Sequence, residues 1–288
     1  MSTLFSIVID GVAYGMVLFT ISVGLSVTMG LMRIVNLAHG GFALLGGAFT
    51  HWAMTGLGLP FLAAAPLAIA MVMLLSLPME RLLYRPIYKM GELQQVLATI
   101  GITFLIIASV NWWLGSTLQS IQLPAFMSGA VNLGLRTLPT QRVYVIIAGL
   151  LVICGLYILI ERTRFGIKLR AAVDFPGTAA CLGIDTSKIF LITFALGAGL
   201  AALGGILGAE ILPIEAYYPL RYMVLFLTVV AVGGMGSITG SFLAALGLGI
   251  LDTATRYLLP DFGTVFFYFA MILVLGIRPN GLLGKSLS

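Results

Sequence analysis

The 288-residue chain is 60% hydrophobic and only 9% charged, with a mean hydropathy of +1.11. Its length would allow one or two soluble domains, but this composition excludes them and places the chain in the membrane class. The formal net charge of +5 is not a nucleic-acid signal, because the lysines and arginines sit at the ends of apolar segments and not on one patch.

Apolar segments run at about 4–29, 35–56, 59–79, 95–115, 142–160, 189–212, 222–235, 238–259 and 263–279. Most reach the roughly 20 residues that a bilayer requires. They predict an all-α polytopic membrane protein with eight or nine transmembrane helices in a single domain over residues 1–288. The first segment has no basic stretch before it and no small-residue cleavage site, so it reads as a retained helix and not as a signal peptide. The 35 glycines fit a bundle in lipid, where small residues let helix backbones approach closely. Segment 222–235 is short and runs into Val232-Gly233-Gly234-Met235-Gly236-Ser237. It reads as a half-helix or re-entrant element, tolerable only where protein or a cavity covers its free backbone groups.

Basic residues set the orientation. If segments 30–34, 80–94 and 161–188 and the tail after 279 face the cytoplasm, that side and the adjoining segment ends hold Arg33, Arg81, Arg85, Lys89, Arg162, Arg164, Lys168, Arg170, Lys188, Arg278 and Lys285. The other side keeps only Arg136, Arg142, Arg221 and Arg256. Nine crossings then put the N-terminus outside and the C-terminus inside. Eight, with 222–235 not crossing, would flip the tail. Outside, the loop Gly115–Gln141 carries Pro124, Pro139 and few charges, which suits a stretch lying along the surface. Leu212–Arg221 reads as a second external loop, with Tyr217 and Tyr218 as interfacial aromatics.

The densest positive charge lies in the polar interruption Arg162–Lys188. Pro176 suits a first helical position, where its missing N–H costs nothing. Gly183 suits the left-handed residue just past a helix end. Between them PGTAACL gives about two turns, roughly 10 Å. Such a helix on a basic loop can dock into a groove of a soluble partner, or the loop can simply set the orientation.

Other polar features interrupt the apolar runs. Asn36 and His39, three apart at the start of the second segment, are expected to share a helix face. They and Gly40 either line a path or hold the bundle by interhelical hydrogen bonds. Gly233, Gly234, Gly236, Ser237 and Gly240 form a break that either frees backbone groups, as discontinuous transporter helices do, or makes a tightly packed turn. Small residues follow both interruptions, Gly40-Gly41 with Gly46-Gly47 and Gly236 with Gly240, but this echo does not amount to a repeat. Asp252 and Arg256, four apart, are expected to pair. Asp10 and Glu210 are the other acids near helix ends, too scattered for the carboxylate relay of a proton-driven carrier.

No catalytic constellation is present in the sequence. Cys154 and Cys181 lie in different environments and share no metal-ligand spacing, so neither a disulfide nor a metal site is expected. Gly284-Lys285-Ser286 imitates the end of a phosphate-binding loop, but that loop requires glycine at 279, which is proline here, and a helix afterwards.

Three stretches together resemble the LivH-type permease family of branched-chain amino-acid ABC transporters. VNLAHGGF (35–42) is similar to its I-N-F-A-H-G motif. Residues 170–207, RAAVDFPGTAACLGIDTSKIFLITFALGAGLAALGGIL, look like its cytoplasmic coupling loop and following helix. VGGMGSITG (232–240) is similar to its G-G-M-G-S-x-x-G turn. Their order and spacing extend the resemblance over essentially the whole chain.

The resemblance implies a non-enzymatic inner-membrane subunit that moves branched-chain or related amino acids. It implies a second, homologous permease subunit, two cytoplasmic ATP-binding subunits that hold ATP and Mg, and a periplasmic substrate-binding protein. The short helix becomes the coupling helix, with Arg170, Ala171, Asp174, Ala180, Leu182, Gly183 and Ile184 at the matching positions. Phe175-Pro176-Gly177 departs from the polar residues usual there, which predicts a shorter helix or another entry angle. The competing reading from the residues alone is a stand-alone carrier or channel for a small neutral or zwitterionic solute such as an amide or urea.

Overall fold

The computed structural model describes residues 2–32, 36–88, 90–115, 117, 120–132, 137–263 and 265–284. Arg33, Val35, Lys89, Arg136, Lys285 and Ser286, used in the sequence argument, lie outside these residues. Eleven α-helices carry the described fold: α1 (Ser2–Met32), α2 (His39–Thr55), α3 (Phe61–Met79), α4 (Glu92–Leu114), α5 (Thr140–Tyr157), α6 (Arg164–Asp174), α7 (Pro176–Cys181), α8 (Thr186–Leu207), α9 (Tyr218–Gly233), α10 (Ile238–Leu258) and α11 (Val265–Ile277). Helix α3 continues through a π turn, Glu80–Tyr84, to Ile87, and α5 through a second, Ile158–Arg162. The protein is an all-α polytopic membrane protein. Six helical stretches are long and apolar enough to cross a membrane, Leu4–Gly30, Phe61–Ile87, Glu92–Leu114, Thr140–Arg162, Thr186–Leu207 and Ile238–Leu258, while α9 and α11 are shorter apolar helices.

All nine apolar segments of the sequence became helices, with two changes of boundary that matter. The second begins at His39, so Asn36 precedes the helix and does not share a helix face with His39. The seventh begins at Tyr218, four residues early. The stretch leading to it is not a loose surface loop, because Leu212, Ile214 and Ala216 belong to the buried core while Pro213 and Tyr217 are exposed. Tyr217 is exposed, but Tyr218 is fully buried and is no interfacial aromatic. In the loop between α4 and α5, two short strands, Ala130–Asn132 (β1) and Thr137–Pro139 (β2), pair antiparallel with Val131 opposite Leu138.

The bundle is built around α1, which is apolar on all sides and therefore suited to a central position. It runs antiparallel to α8, with Gly208 facing Val17, Gly204 facing Ile21 and Gly197 facing Gly24. It is also antiparallel to α10, with Gly11 facing Ile250, Gly15 facing Ala245 and Gly30 facing Gly236. A methyl group on Gly15 would lie 2.7 Å from the Ala245 carbonyl oxygen, and one on Gly24 would overlap the carbonyl of Gly197. In lipid this close approach of small residues is the main source of helix association.

Helices α1–α2 and α8–α9 form two units of like construction that run in opposite directions. Each has a long helix, a stretch between helices, and a shorter helix that starts inside the bundle. His39 at the start of α2 has its Nε2 3.1 Å from the carbonyl oxygen of Ile21, about 16 Å along α1 from its end. The first turn of α9 backs onto the same point, because Gly40 faces Pro219. Helix α3 packs antiparallel on α8 as α10 does on α1, with Gly199 facing Met73 and Arg85 bonded to Ser187. This is the inverted arrangement common among transporters. The glycine echo in the sequence does not mark it, because Gly236–Gly240 lead into α10 and the counterpart of α2 is α9.

Candidate functional site

The polar interruption folds as a helical hairpin. Helix α6 places Phe165, Leu169 and Ala172 on one face, where Leu169 and Ala172 are buried against Ile189 of α8. Thr163 caps it by accepting from the Gly166 amide. Helix α7 begins at Pro176, as expected, and ends in a Schellman motif: the Gly183 amide donates to Ala180 O at 3.0 Å and the Ile184 amide to Ala179 O at 3.0 Å. Gly183 has φ +78°, a conformation that glycine adopts at no steric cost.

The candidate docking residues divide into two sets. Asp174, Ala180, Leu182 and Gly183 are exposed, together with Phe175 (69%) and Pro176. Arg170, Ala171 and Ile184 are partly buried and tie the hairpin down. Arg170 donates to Ile160 O at 2.8 Å and pairs with Glu161 at 3.1 Å, while Ile184 packs against the Leu169–Ala172–Ile189 cluster.

A charged crevice lies beside the hairpin, between the π turn of α3 and the start of α8. It is lined by Glu80, Arg81, Arg85, Asp185 and Lys188, among others. Asp185 caps α8 by accepting from the Lys188 amide at 3.0 Å. That amide and the Lys188 side chain hold its carboxyl below the usual carboxylate range. Burial, and then the neighbouring Glu80, push the Tyr88 hydroxyl upward.

At the head of α2, Asn36 Oδ1 accepts from the Ala38 amide at 3.1 Å and from the Tyr84 hydroxyl at 3.1 Å. The π turn supplies that contact by bringing Tyr84 into the core against Phe194, with ring centroids 4.7 Å apart. His39 is buried, and its bond to Ile21 O requires the proton on Nε2. His39 thus ties α2 to α1, and Asn36 ties the stretch before α2 to the π turn of α3. The break from Gly233 to Gly240 is likewise a packed junction. Gly236, at φ +78°, sits against Gly30, and Gly234, at φ +99°, sits against Gly284 of the tail. The Leu282 and Leu283 amides bond the carbonyls of Val232 and Gly233, and Ser237 caps α10 through the Gly240 amide at 3.0 Å.

At the other end of the bundle the expected Asp252–Arg256 pair is present at 2.7 Å, with Asp252 fully buried and Arg256 56% exposed. Asp10 pairs with Arg142 at 3.2 Å and accepts from the Tyr257 hydroxyl at 2.8 Å. Glu210 stands apart, exposed beyond the end of α8. Sequence reasoning missed Tyr14 and Tyr84 and took Tyr218 for an interfacial aromatic, because a tyrosine in an apolar run shows where its hydroxyl goes only once the fold is known.

The match to known proteins covers nearly the whole chain. Residues 7–275 match the family model described as the permease component of the branched-chain amino acid transport system. The chain is 27% identical to the high-affinity branched-chain amino acid transport system permease protein LivH of Escherichia coli strain K12, over 96% of this chain and 94% of that protein. It is 28% identical to the corresponding permease protein BraD of Pseudomonas aeruginosa, with the same coverage. No solved structure matches the chain.

Proposed function

We propose, because this chain belongs to the family of branched-chain amino acid permease components, that it is the membrane-spanning subunit of an ABC importer for branched-chain or related amino acids. The relatives named above carry that substrate class in their names. On this reading a second, homologous permease completes the membrane core, two cytoplasmic ATPase subunits hold ATP and Mg, and a periplasmic binding protein delivers the ligand.

The exposed α6–α7 hairpin carries the proposal. Its tip presents Phe175, Leu182 and Asp174 beyond the bundle, while Arg170 and Ile184 fasten its base, so force applied at the tip reaches α8 and the π turn of α5. Hydrolysis does useful work only if the ATPase distinguishes two packings of the permease by differential contacts, and these are the contacts available. The bacterial inner membrane is the setting, with the N-terminus periplasmic and the C-terminus cytoplasmic. In support, the basic-rich hairpin, Arg85 and the tail after Arg278 gather at one end of the bundle, through the Arg85–Ser187 bond and the Gly30–Gly236 and Gly234–Gly284 contacts.

The test is purification of the tagged protein from native membranes in mild detergent, with mass spectrometry of what accompanies it. Two ATP-binding subunits and a second permease are the expected result. A lone homo-oligomer would return the assignment to a secondary carrier or channel.

A further inference from the structure

Among the polar atoms buried without a hydrogen-bond partner at the Asp10 end of the bundle are Asp252 Oδ1, the Tyr14 hydroxyl and the Tyr218 hydroxyl. They come from α10, α1 and α9, and the packing brings those helices together. Gly11 faces Ile250 and Gly15 faces Ala245, so Tyr14 of α1 and Asp252 of α10 share one layer. Tyr14 lies within electrostatic range of Asp252, Arg256 and Tyr222, and Tyr218 within range of Tyr14 and Tyr222. The rings of Tyr218 and Tyr222 are 4.8 Å apart. Tyr218 and Asp252 are fully buried, and Tyr14 is 7% exposed.

Unsatisfied polar groups are expensive inside a membrane protein, which makes the residues that carry them candidates for a functional path. Phenylalanine at 14 and 218 would fill the same space without an unsatisfied hydroxyl, so packing alone does not account for the two tyrosines. Arg256 does not answer the need of Asp252 either, since its Nε takes only Oδ2.

We propose that Asp252 Oδ1, with the hydroxyls of Tyr14 and Tyr218, receives the α-ammonium group of the amino acid as it crosses this subunit, an assignment that rests on the amino-acid reading above. An ammonium group has three N–H donors and no acceptor, and the cluster offers a carboxylate oxygen and two hydroxyl oxygens in return. Arg256, with its guanidinium 56% exposed beside the same carboxylate, is placed to meet the other charge of the zwitterion. A bound zwitterion adds no net charge to a pair that is already neutral, so the site suits an amino acid better than a free cation or anion.

The test uses the complete importer in proteoliposomes, with its binding protein saturated with labelled L-leucine. Tyr14→Phe, Tyr218→Phe and Asp252→Asn are compared with wild type for uptake, ATP hydrolysis and thermal unfolding. Each tyrosine variant is expected to lower uptake per ATP about tenfold, the range for one hydrogen bond to a charged group, with its unfolding temperature unchanged or raised. A purely structural role predicts the reverse, a lowered unfolding temperature with uptake per ATP retained. Wild-type leucine uptake with both tyrosine variants within twofold of it would overturn the assignment alone. A wild-type complex that carries an uncharged amide and no branched-chain amino acid would overturn the substrate reading, and this assignment with it.

Discussion

His39 shows how one side chain acts in this protein. A buried imidazole with one bond, to Ile21 O at 3.1 Å, and an edge contact to Phe42 is a joint between α1 and α2. Replacing it by alanine removes that bond and leaves a cavity beside Gly24, a combination worth about 2–4 kcal/mol. His39→Ala is therefore expected to lower folded yield and uptake in the same proportion, measured by detergent-resistant monodispersity and by transport per folded protein. A loss of transport per folded molecule would instead put His39 in the path. Asn36 was legible as a polar residue in need of a partner, but its partner was not. Tyr84 stands 48 positions away and reaches Asn36 only because a π turn rotates it inward.

At the scale of the element, local chemistry read well wherever the backbone alone decides the outcome. Pro176 and Gly183 set the limits of α7 because the imino ring and the left-handed residue are local constraints. Helix α6 was not predicted, although Phe165, Leu169 and Ala172 stand at helical spacing, because its dense charge masks the apolar face. Two predictions belong here. Asp185→Ala removes the acceptor that caps α8, so the Lys188 amide should exchange its hydrogen faster, while Asp185→Asn, which keeps an oxygen in place, should exchange nearly as wild type. Because the folded-state pKa of Asp185 is depressed, its contribution is present above its unfolded value and is lost only as pH falls through the folded one. Neutral and mildly acidic solutions should leave the cap intact. The second concerns Gly236, where alanine would meet both the positive φ and the Gly30 backbone at 2.9 Å. Strain of this kind costs about 1–3 kcal/mol, so Gly236→Ala should lower the unfolding temperature in detergent, and an unchanged temperature would show that the junction yields.

For the whole molecule, sidedness and docking can be read through one native thiol. Cys181 is exposed on the hairpin. In a Cys154→Ser background, a membrane-impermeant maleimide should label Cys181 in inside-out vesicles and not in right-side-out ones, and the ATPase subunits should protect it. Labelling from the opposite face would reverse the orientation. Asp174→Lys, at the exposed end of α6, should leave the protein inserted and reduce coupled uptake at least tenfold, since a repulsive charge at a docking contact opposes the same interaction that transmits hydrolysis. Uptake equal to wild type would remove Asp174 from the contact.

The sequence by itself determined the membrane class, the nine apolar helices, the short helix from Pro176 and the family resemblance. Each of these rests on composition, on apolar run length, or on residue types that act within a few positions of themselves. Only the tertiary structure decided that α2 and α9 begin inside the bundle, that Leu212–Tyr218 packs largely into the core, and that two oppositely directed units pack through Gly24–Gly197 and Gly46–Ala202. It alone brought Tyr14, Tyr218 and Asp252 together across more than 200 positions of sequence. In an apolar chain the hydrophobic pattern says which segments enter the lipid but not which faces meet there. That choice falls to close approach of small residues and to the pairing of polar groups, and both depend on partners distant in the sequence.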